Sequence, residues 1–257
     1  MKEEDEKTAH AVLSASGSER WLGCPASISL SKGLPNIQHE SGQAGTNAHT
    51  LFQFILENAN WENLLSHKSS IEFRRRIDFV SHQLRAVMVG VKYVHAERRK
   101  MYKANGQWPQ MFTEKKVILK GVGFGRSDVI LYQPFGLLHV MDFKNGVYPV
   151  SPVDNTQGLY YGCAIADEMG WDFSRAAITI IQPNVSSGEK IKTWYTTPKR
   201  LEQAKLMFER GAKLTRLKKP AVVLNHKYCW FCPARMNGCP AHAKQRVSKI
   251  AARFERK

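Results

Sequence analysis

The stretch 121-GVGFGRSDVILYQPFGLLHVMDFKNG-146 constrains this chain more than any other. It reads as apolar strand, turn and apolar strand, yet it sets Asp128, Asp142 and Lys144 among Val, Ile, Leu and Met. Burying an unpaired charge in such surroundings is costly. A fold that accepts this segment must therefore bring the three charges to one another or to a counter-ion. Pro134-Phe135-Gly136 is a turn signal between strands at 124–132 and 137–144, and Gly121-Val122-Gly123 marks a turn after a strand at 112–120. The three strands form an antiparallel meander of two hairpins.

Residues that face each other across a hairpin have numbers with a constant sum. A turn centred on Phe135 sets Asp128 against Asp142, and one centred on Gly121 sets Glu114 against Asp128. Three acids then lie level on neighbouring strands, roughly 5 Å from strand to strand. Alternation sends Lys144, two residues beyond Asp142, to the same face. Carboxylates that close cannot all stay ionised without a cation. An oxygen-rich site beside an ammonium suits Mg²⁺ or Mn²⁺, and such a site can generate hydroxide and clamp a phosphate, as phosphodiester hydrolysis requires. The alternative is a polar sheet face whose acids and lysine serve only as salt bridges.

Helices surround the meander. After a charged tail at 1–12, residues 13–43 are rich in Ser, Gly and Pro, with at most a short helix around 17–31. The stretch 45–59 places His49, Phe52 and Leu56 on one helical stripe, and a longer helical stretch covers about 69–103. Beyond the meander come a helix at about 154–169, β-rich runs at 176–182 and 192–196, and a helix that Thr197-Pro198 opens and that runs to about 218. This order predicts an α/β or α+β core rather than a doubly wound sheet. The expected organisation is an N-terminal segment at 1–43, a core at 44–220 with a helical insertion at about 60–105, and a cysteine-bearing segment at 221–257.

The charge balance narrows the partners. With 38 Lys and Arg against 22 Asp and Glu, the net charge is +16 on 257 residues, a field that attracts polyanions. Nucleic acid is the first candidate and anionic membrane the weaker second. Arg74-Arg75-Arg76, Arg98-Arg99-Lys100, Lys115-Lys116, Lys218-Lys219 and the tail from Lys244 would neutralise phosphates. Trp108, Trp194, Tyr195, Trp230 and Phe231 could stack on bases, although core packing is the commoner fate of such residues. No apolar run approaches the roughly 18 residues of a membrane span, and the N-terminus lacks a basic-then-apolar leader pattern. A soluble, cytoplasmic protein is expected, in a bacterial host if phage-encoded.

The ordered set of residues resembles the RecB-like branch of the PD-(D/E)XK nuclease superfamily. It comprises Gly45-x-x-x-His49, Asp128, Asp142-x-Lys144 and Gln157-x-x-x-Tyr161. The order of elements is similar too: a helix with the histidine, a meander with the acids and lysine, a helix with Gln and Tyr, then a parallel strand. The resemblance implies a restriction-endonuclease-like core in which Asp128, Asp142, His49 and the Phe143 carbonyl hold the metal. Lys144 would orient the attacking water, and Gln157 and Tyr161 would touch DNA or position Lys144. Glu114 matches less firmly, because only some members carry an acid on the first strand. Ser127, not Pro, precedes the first acid, and Asp142 stands where Glu is commoner.

Four of the five cysteines suggest a second metal. The run 229-CWFCPARMNGC-239 supplies Cys229, Cys232 and Cys239, and Cys24 is the candidate fourth ligand. Spacing alone suits Zn²⁺ equally well. One cysteine before the core and three after it resemble the iron-sulfur RecB-like nucleases, which implies a [4Fe-4S] cluster that pins the two ends together. Cys163 lies in an apolar helix and behaves as a small hydrophobe. The expectation is a Mg²⁺- or Mn²⁺-dependent DNA exonuclease of end resection or recombination, with a single-strand annealing or single-strand binding protein as a candidate partner. Its rivals are a non-catalytic DNA-binding protein on the same fold and a zinc-stapled RNA-binding or architectural module.

Overall fold

The structure is a computed structural model that describes residues 12–35, 40–58 and 81–245. The expected helix at 69–103 therefore lies partly outside the described residues, as do Arg74-Arg75-Arg76 and most of the basic tail. The elements are α1 (Ser18–Gly23), α2 (Ser27–Leu30), α3 (Glu40–Glu57), α4 (Ser81–Asn105), β1 (Gln110–Leu119), β2 (Gly123–Tyr132) and β3 (Leu137–Phe143). They continue with α5 (Thr156–Glu168), β4 (Arg175–Ile181), β5 (Ile191–Thr196), α6 (Pro198–Thr215) and α7 (His226–Cys229).

Five strands form one mixed sheet in chain order, β1 to β5. β1, β2 and β3 are the antiparallel meander; β4 runs parallel to β3, and β5 returns antiparallel. A parallel neighbour needs a crossover, and α5 provides it. Asn155 caps α5 by accepting a 2.9 Å hydrogen bond from the amide of Gly158, which satisfies one of the orphan donors of the first turn. Thr197 caps α6 in the same way, ahead of Pro198 at the first helical position.

Alternation along the strands divides the core in two. Ile130, Leu138, Val140 and Ile178 face α5, α6 and the segment around α1. Val129, Leu131, Met141 and Phe143 face α3 and α4. Gly158 lets α5 lie close on the sheet, since a Cβ there would come within 2.5 Å of the Ile178 side chain.

The N-terminal segment is part of the core rather than a loose connection. Leu13, Ala15 and Trp21 are buried, and the Trp21 ring packs 5.9 Å from that of Phe208 on α6. The single short helix expected at 17–31 is two short helices. Trp108, Tyr195, Trp230 and Phe231 are exposed, whereas Trp194 is partly buried against the core.

Candidate functional site

The strand pairings set the acids level. Val129 pairs with Met141, so the next step of that register brings Asp128 opposite Asp142. On the other side Thr113 pairs with Val129 and Lys115 with Ser127, which leaves Glu114 facing Asp128. Glu114 breaks the extended backbone with a φ of 44°, a left-handed conformation that costs a non-glycine residue of order 1–3 kcal/mol. Arg126 donates a 3.0 Å hydrogen bond to the Glu114 carbonyl there. Strain of this kind gathers at functional sites.

His49 completes this end of the cluster from α3. Its Nδ1 lies 3.2 Å from Asp128 Oδ1 and 4.0 Å from Glu114 Oε1. Its ring meets Phe143 edge-on at 5.5 Å, while Phe52, one turn on, stacks on the same phenyl ring at 4.9 Å. Ligand atoms of His49, Glu114 and Asp128 all lie within 4.8 Å of one another. Asp128 Oδ2 is turned the other way, where it accepts from the Phe143 amide at 2.6 Å. The backbone of β3 thereby fixes which oxygen faces the histidine.

Asp142 and Lys144 make the second half. Asp142 is buried, with its Oδ2 at 2.8 Å from Lys144 Nζ, and its Oδ1 has no hydrogen-bond donor among the described residues. The Lys144 ammonium also donates to Gln157 Oε1 at 2.9 Å, and Gln157 Nε2 donates to the Tyr161 hydroxyl at 3.1 Å. Gln157 and Tyr161 stand one turn apart on α5 and so present one face. Tyr161 itself is held by close contacts, since a Cβ on Gly125 would come within 2.7 Å of its ring and 2.9 Å of Ala15.

The electrostatics are those of anions in search of cations. Burial disfavours charge on His49, but Asp128, Asp142 and Glu114 outweigh it and raise its pKa to about 9. Beside these acids alone the imidazole is a cation at neutral pH, and it must give up its proton to become a metal ligand. Burial, with Asp128 beside it, raises Glu114 to about 7 against the opposing pull of His49 and Arg126. Burial opposes ionisation of Asp128, yet His49, Lys144 and the Phe143 amide hold its pKa below the usual carboxylate range. Asp142 is pushed up by burial and by Asp128 despite the pull of Lys144. Burial opposes the Lys144 ammonium, but Asp142 and Asp128 raise its pKa.

This donor set fits a hard divalent cation. Carboxylate oxygens and one imidazole converge within ligand range, and a buried carboxylate oxygen lacks a donor among the described residues. Phe143 enters the geometry through its amide, and the structure gives its carbonyl no separate distinction. A cavity of about 400 Å³, lined by Glu97, Lys100, Gln133 and Arg175 among others, lies at the opposite end of the sheet and contains none of these residues.

The segment that bears Cys24 adjoins the segment that bears Cys229 and Cys232, although among the described residues only His49, Glu114 and Asp128 form a set of three ligand atoms within 4.8 Å of one another. Cys24, Cys229 and Cys232 are buried, Cys239 is half-buried, and all are free thiols. The Val223 amide donates to Cys24 Sγ at 3.3 Å, and the Asn225 amide donates to Cys229 Sγ at 3.3 Å. Ser31 Oγ lies 3.8 Å from Cys232 Sγ, and Ala26 N–H donates to the Ala221 carbonyl at 3.0 Å. Cys163 stands apart, its thiol donating to the Leu201 carbonyl at 3.1 Å, and burial raises its pKa.

One positioning contact had no signal in the sequence. Ser18 Oγ donates to Thr156 Oγ1 at 2.7 Å, joining the buried N-terminal segment to the residue before Gln157. Serine in a Ser- and Gly-rich stretch carries no period that would mark it.

Among solved structures, the chain is similar to a protein of Eubacterium rectale provisionally assigned as an exonuclease, at 13% identity over 88% of this chain and 87% of that one, with a TM-score of 0.47. It is also similar to the protein SSO0001, at 14% identity over 88% of this chain and 96% of that one, with a TM-score of 0.31. At this distance the chemistry must come from the chain's own residues. Residues 10–257 match the family DUF2800, described as a protein of unknown function. The chain belongs to the DUF2800 family.

Proposed function

We propose that the chain is a metal-dependent deoxyribonuclease of the RecB-like, PD-(D/E)XK kind, an exonuclease that hydrolyses phosphodiester bonds at DNA ends. The observation that carries this reading is the pairing of two neighbouring groups. One is the His49, Glu114 and Asp128 set of converging ligand atoms, and the other is Asp142 with a lysine held at 2.8 Å. A purely structural salt bridge explains the second group, whereas in the first two carboxylates share a single imidazole.

Asp128, His49 and Asp142 would hold Mg²⁺ or Mn²⁺, with Glu114 and the Phe143 carbonyl completing the shell. The ion would supply a water of lowered pKa and charge for the scissile phosphate. The chain's own residues do the rest. The Phe143 amide keeps Oδ2 of Asp128 occupied, so Oδ1, the oxygen that faces His49, would be the one to hold the ion. Lys144, held between Asp142 and Gln157, presents its ammonium to orient the attacking water and to stabilise charge developing on the phosphate. Tyr161 stays neutral, because burial raises its pKa well above the usual value, and it tethers Gln157 rather than exchanging a proton.

Cys24, Cys229, Cys232 and Cys239 would bind a structural [4Fe-4S] cluster, with Zn²⁺ as the competing occupant. In this reading DNA is the substrate, a single-strand annealing or single-strand binding protein is a candidate partner, and the core at 44–220 is stapled by its flanking segments. The test is incubation of linear and closed circular DNA with the protein, with Mg²⁺ or Mn²⁺ and with chelator. Metal-dependent loss of linear DNA supports the reading. Intact DNA under every condition, from protein that still binds it, defeats it.

A further inference from the structure

At the end of the sheet away from the metal ligands, α4 covers a cavity of about 400 Å³. Leu137 in its wall and Phe143 beside Asp128 stand at the two ends of β3, which separates them by about 20 Å at ~3.3 Å per residue. We infer that this cavity binds a nucleoside monophosphate, at a site separate from the metal centre. Such a compound is what the proposed exonuclease would release, and only that link rests on the nuclease reading.

Strand register assembles the site. Leu137 pairs with Arg175, and Ala177 with Tyr195. Leu137 and Ala177 belong to the core beneath α4, so Arg175 and Tyr195 stand on the face that α4 covers. α4 adds Glu97, Lys100 and, at its last position, Asn105. The Pro134-Phe135-Gly136 turn forms the rim and is tied down from several sides. The Gly136 carbonyl accepts from the Ser174 amide at 2.9 Å, the Arg175 amide at 3.1 Å and the Ser174 hydroxyl at 3.0 Å, while the Phe135 amide donates to the Asp172 carbonyl at 3.0 Å.

Phe135 is the observation that points to a ligand. Its φ is 57°, in the left-handed region, and it is 80% exposed. A left-handed backbone is unfavourable for a bulky residue and persists only where its surroundings over-determine it. The exposed ring gains no packing that would offset this strain, so its use lies in something from outside the folded chain. Tyr195, 53% exposed, lines the same cavity. Two aromatic rings suit a flat, π-rich ligand such as a base.

Charge and hydrogen bonding narrow the class. Glu97 holds Lys100 at 3.5 Å, whereas the Arg175 guanidinium has no carboxylate partner among the described residues. A guanidinium left open in this way suits a phosphate, which it can meet with two parallel hydrogen bonds. Asn105 Nδ2 donates to Gln133 Oε1 at 2.6 Å, which leaves the Asn105 carbonyl oxygen and the Glu97 carboxylate as acceptors for the amino group of a base or a sugar hydroxyl. A flat ring, a phosphate and donor groups occur together in a nucleotide, and the cavity falls within the ~300 to 1,000 Å³ of small-ligand pockets.

The experiment is isothermal titration of the full chain in chelator with dAMP, deoxyadenosine and inorganic phosphate. One equivalent of dAMP should bind, at least about 10-fold more tightly than either fragment. Arg175→Ala should weaken dAMP binding at least about 10-fold, and Lys144→Ala should leave it unchanged. Phe135→Gly should weaken it by about 10-fold while the melting temperature equals or exceeds that of wild type, because glycine takes a positive φ without strain. Absence of dAMP binding, phosphate bound as tightly as dAMP, or a loss in Lys144→Ala with none in Arg175→Ala would overturn the site. If dAMP binds as expected but wild type degrades no DNA when metal is restored, the site stands and the nuclease reading falls.

Discussion

The amide of Phe143 donates to Asp128 Oδ2 at 2.6 Å, so the backbone of β3 dictates the orientation of a carboxylate on β2. Oδ1 is left to face His49 at 3.2 Å. A carboxylate fixed in this way is preorganised for a cation, whereas a carboxamide would lose both the charge and one acceptor. Asp128→Asn should weaken Mn²⁺ binding by at least about 10- to 100-fold, measured by isothermal titration, while circular dichroism shows the fold retained.

The chain of contacts from Lys144 to Gln157 to Tyr161 predicts graded losses. Lys144→Ala removes the charge-stabilising group and should lower the rate by about 10²–10³-fold. Gln157→Ala leaves the ammonium tethered only to Asp142 and should cost less, and Tyr161→Phe, which removes only the outer tether, should cost least. Single-turnover rates on linear DNA check the order. A Tyr161→Phe variant slower than Lys144→Ala would show that the tyrosine acts directly.

His139 gives the fold a dependence on acid. It is fully buried in β3, with Nε2 at 2.7 Å from Thr179 Oγ1, and burial, helped by Lys100, lowers its pKa to about 3. Its ring is thus neutral, and Glu97 at 3.9 Å is a neighbour rather than an ionic partner. At neutral pH neither folded nor unfolded histidine binds the extra proton. Below the ordinary value of about 6.5 the unfolded chain takes it up and the folded chain does not. Stability is therefore lost between about pH 6.5 and 3, at up to about 1.4 kcal/mol per pH unit from this residue. His139→Gln should flatten thermal stability against pH over that window relative to wild type.

The cysteines divide four to one. Cys24→Ser or Cys229→Ser should release the metal proposed for the four thiols and lower thermal stability, because Cys24 Sγ meets the Val223 amide 199 residues along the chain, and constraining so long a loop stabilises the fold. Cys163→Ser should keep full metal content, since its thiol is in the core, where it donates to the Leu201 carbonyl. Metal analysis of anaerobically purified protein measures both. Iron with sulfide identifies the cluster, and zinc alone identifies the competitor.

The meander and its level acids were legible because short turns fix register: Pro134-Phe135-Gly136 and Gly121-Val122-Gly123 leave little freedom in which residues face each other. Thr197-Pro198 marked a helix start for an equally local reason. The burial of Leu13, Ala15 and Trp21 was not legible, since it comes from contacts such as Trp21 with Phe208 that leave no period in a Ser- and Gly-rich stretch. The left-handed backbone of Glu114 was hidden as well, because nothing local requires it. The first of these arises where distant parts of the chain meet.

The most direct measurement is the initial rate of nucleotide release from linear duplex and single-stranded DNA in Mg²⁺ or Mn²⁺ by wild type and by Asp142→Ala. A wild-type rate abolished by chelator and reduced at least about 10²-fold in the variant, with DNA binding preserved, is the predicted result. Equal release by both proteins, or none by either, would contradict a metal site built on Asp142.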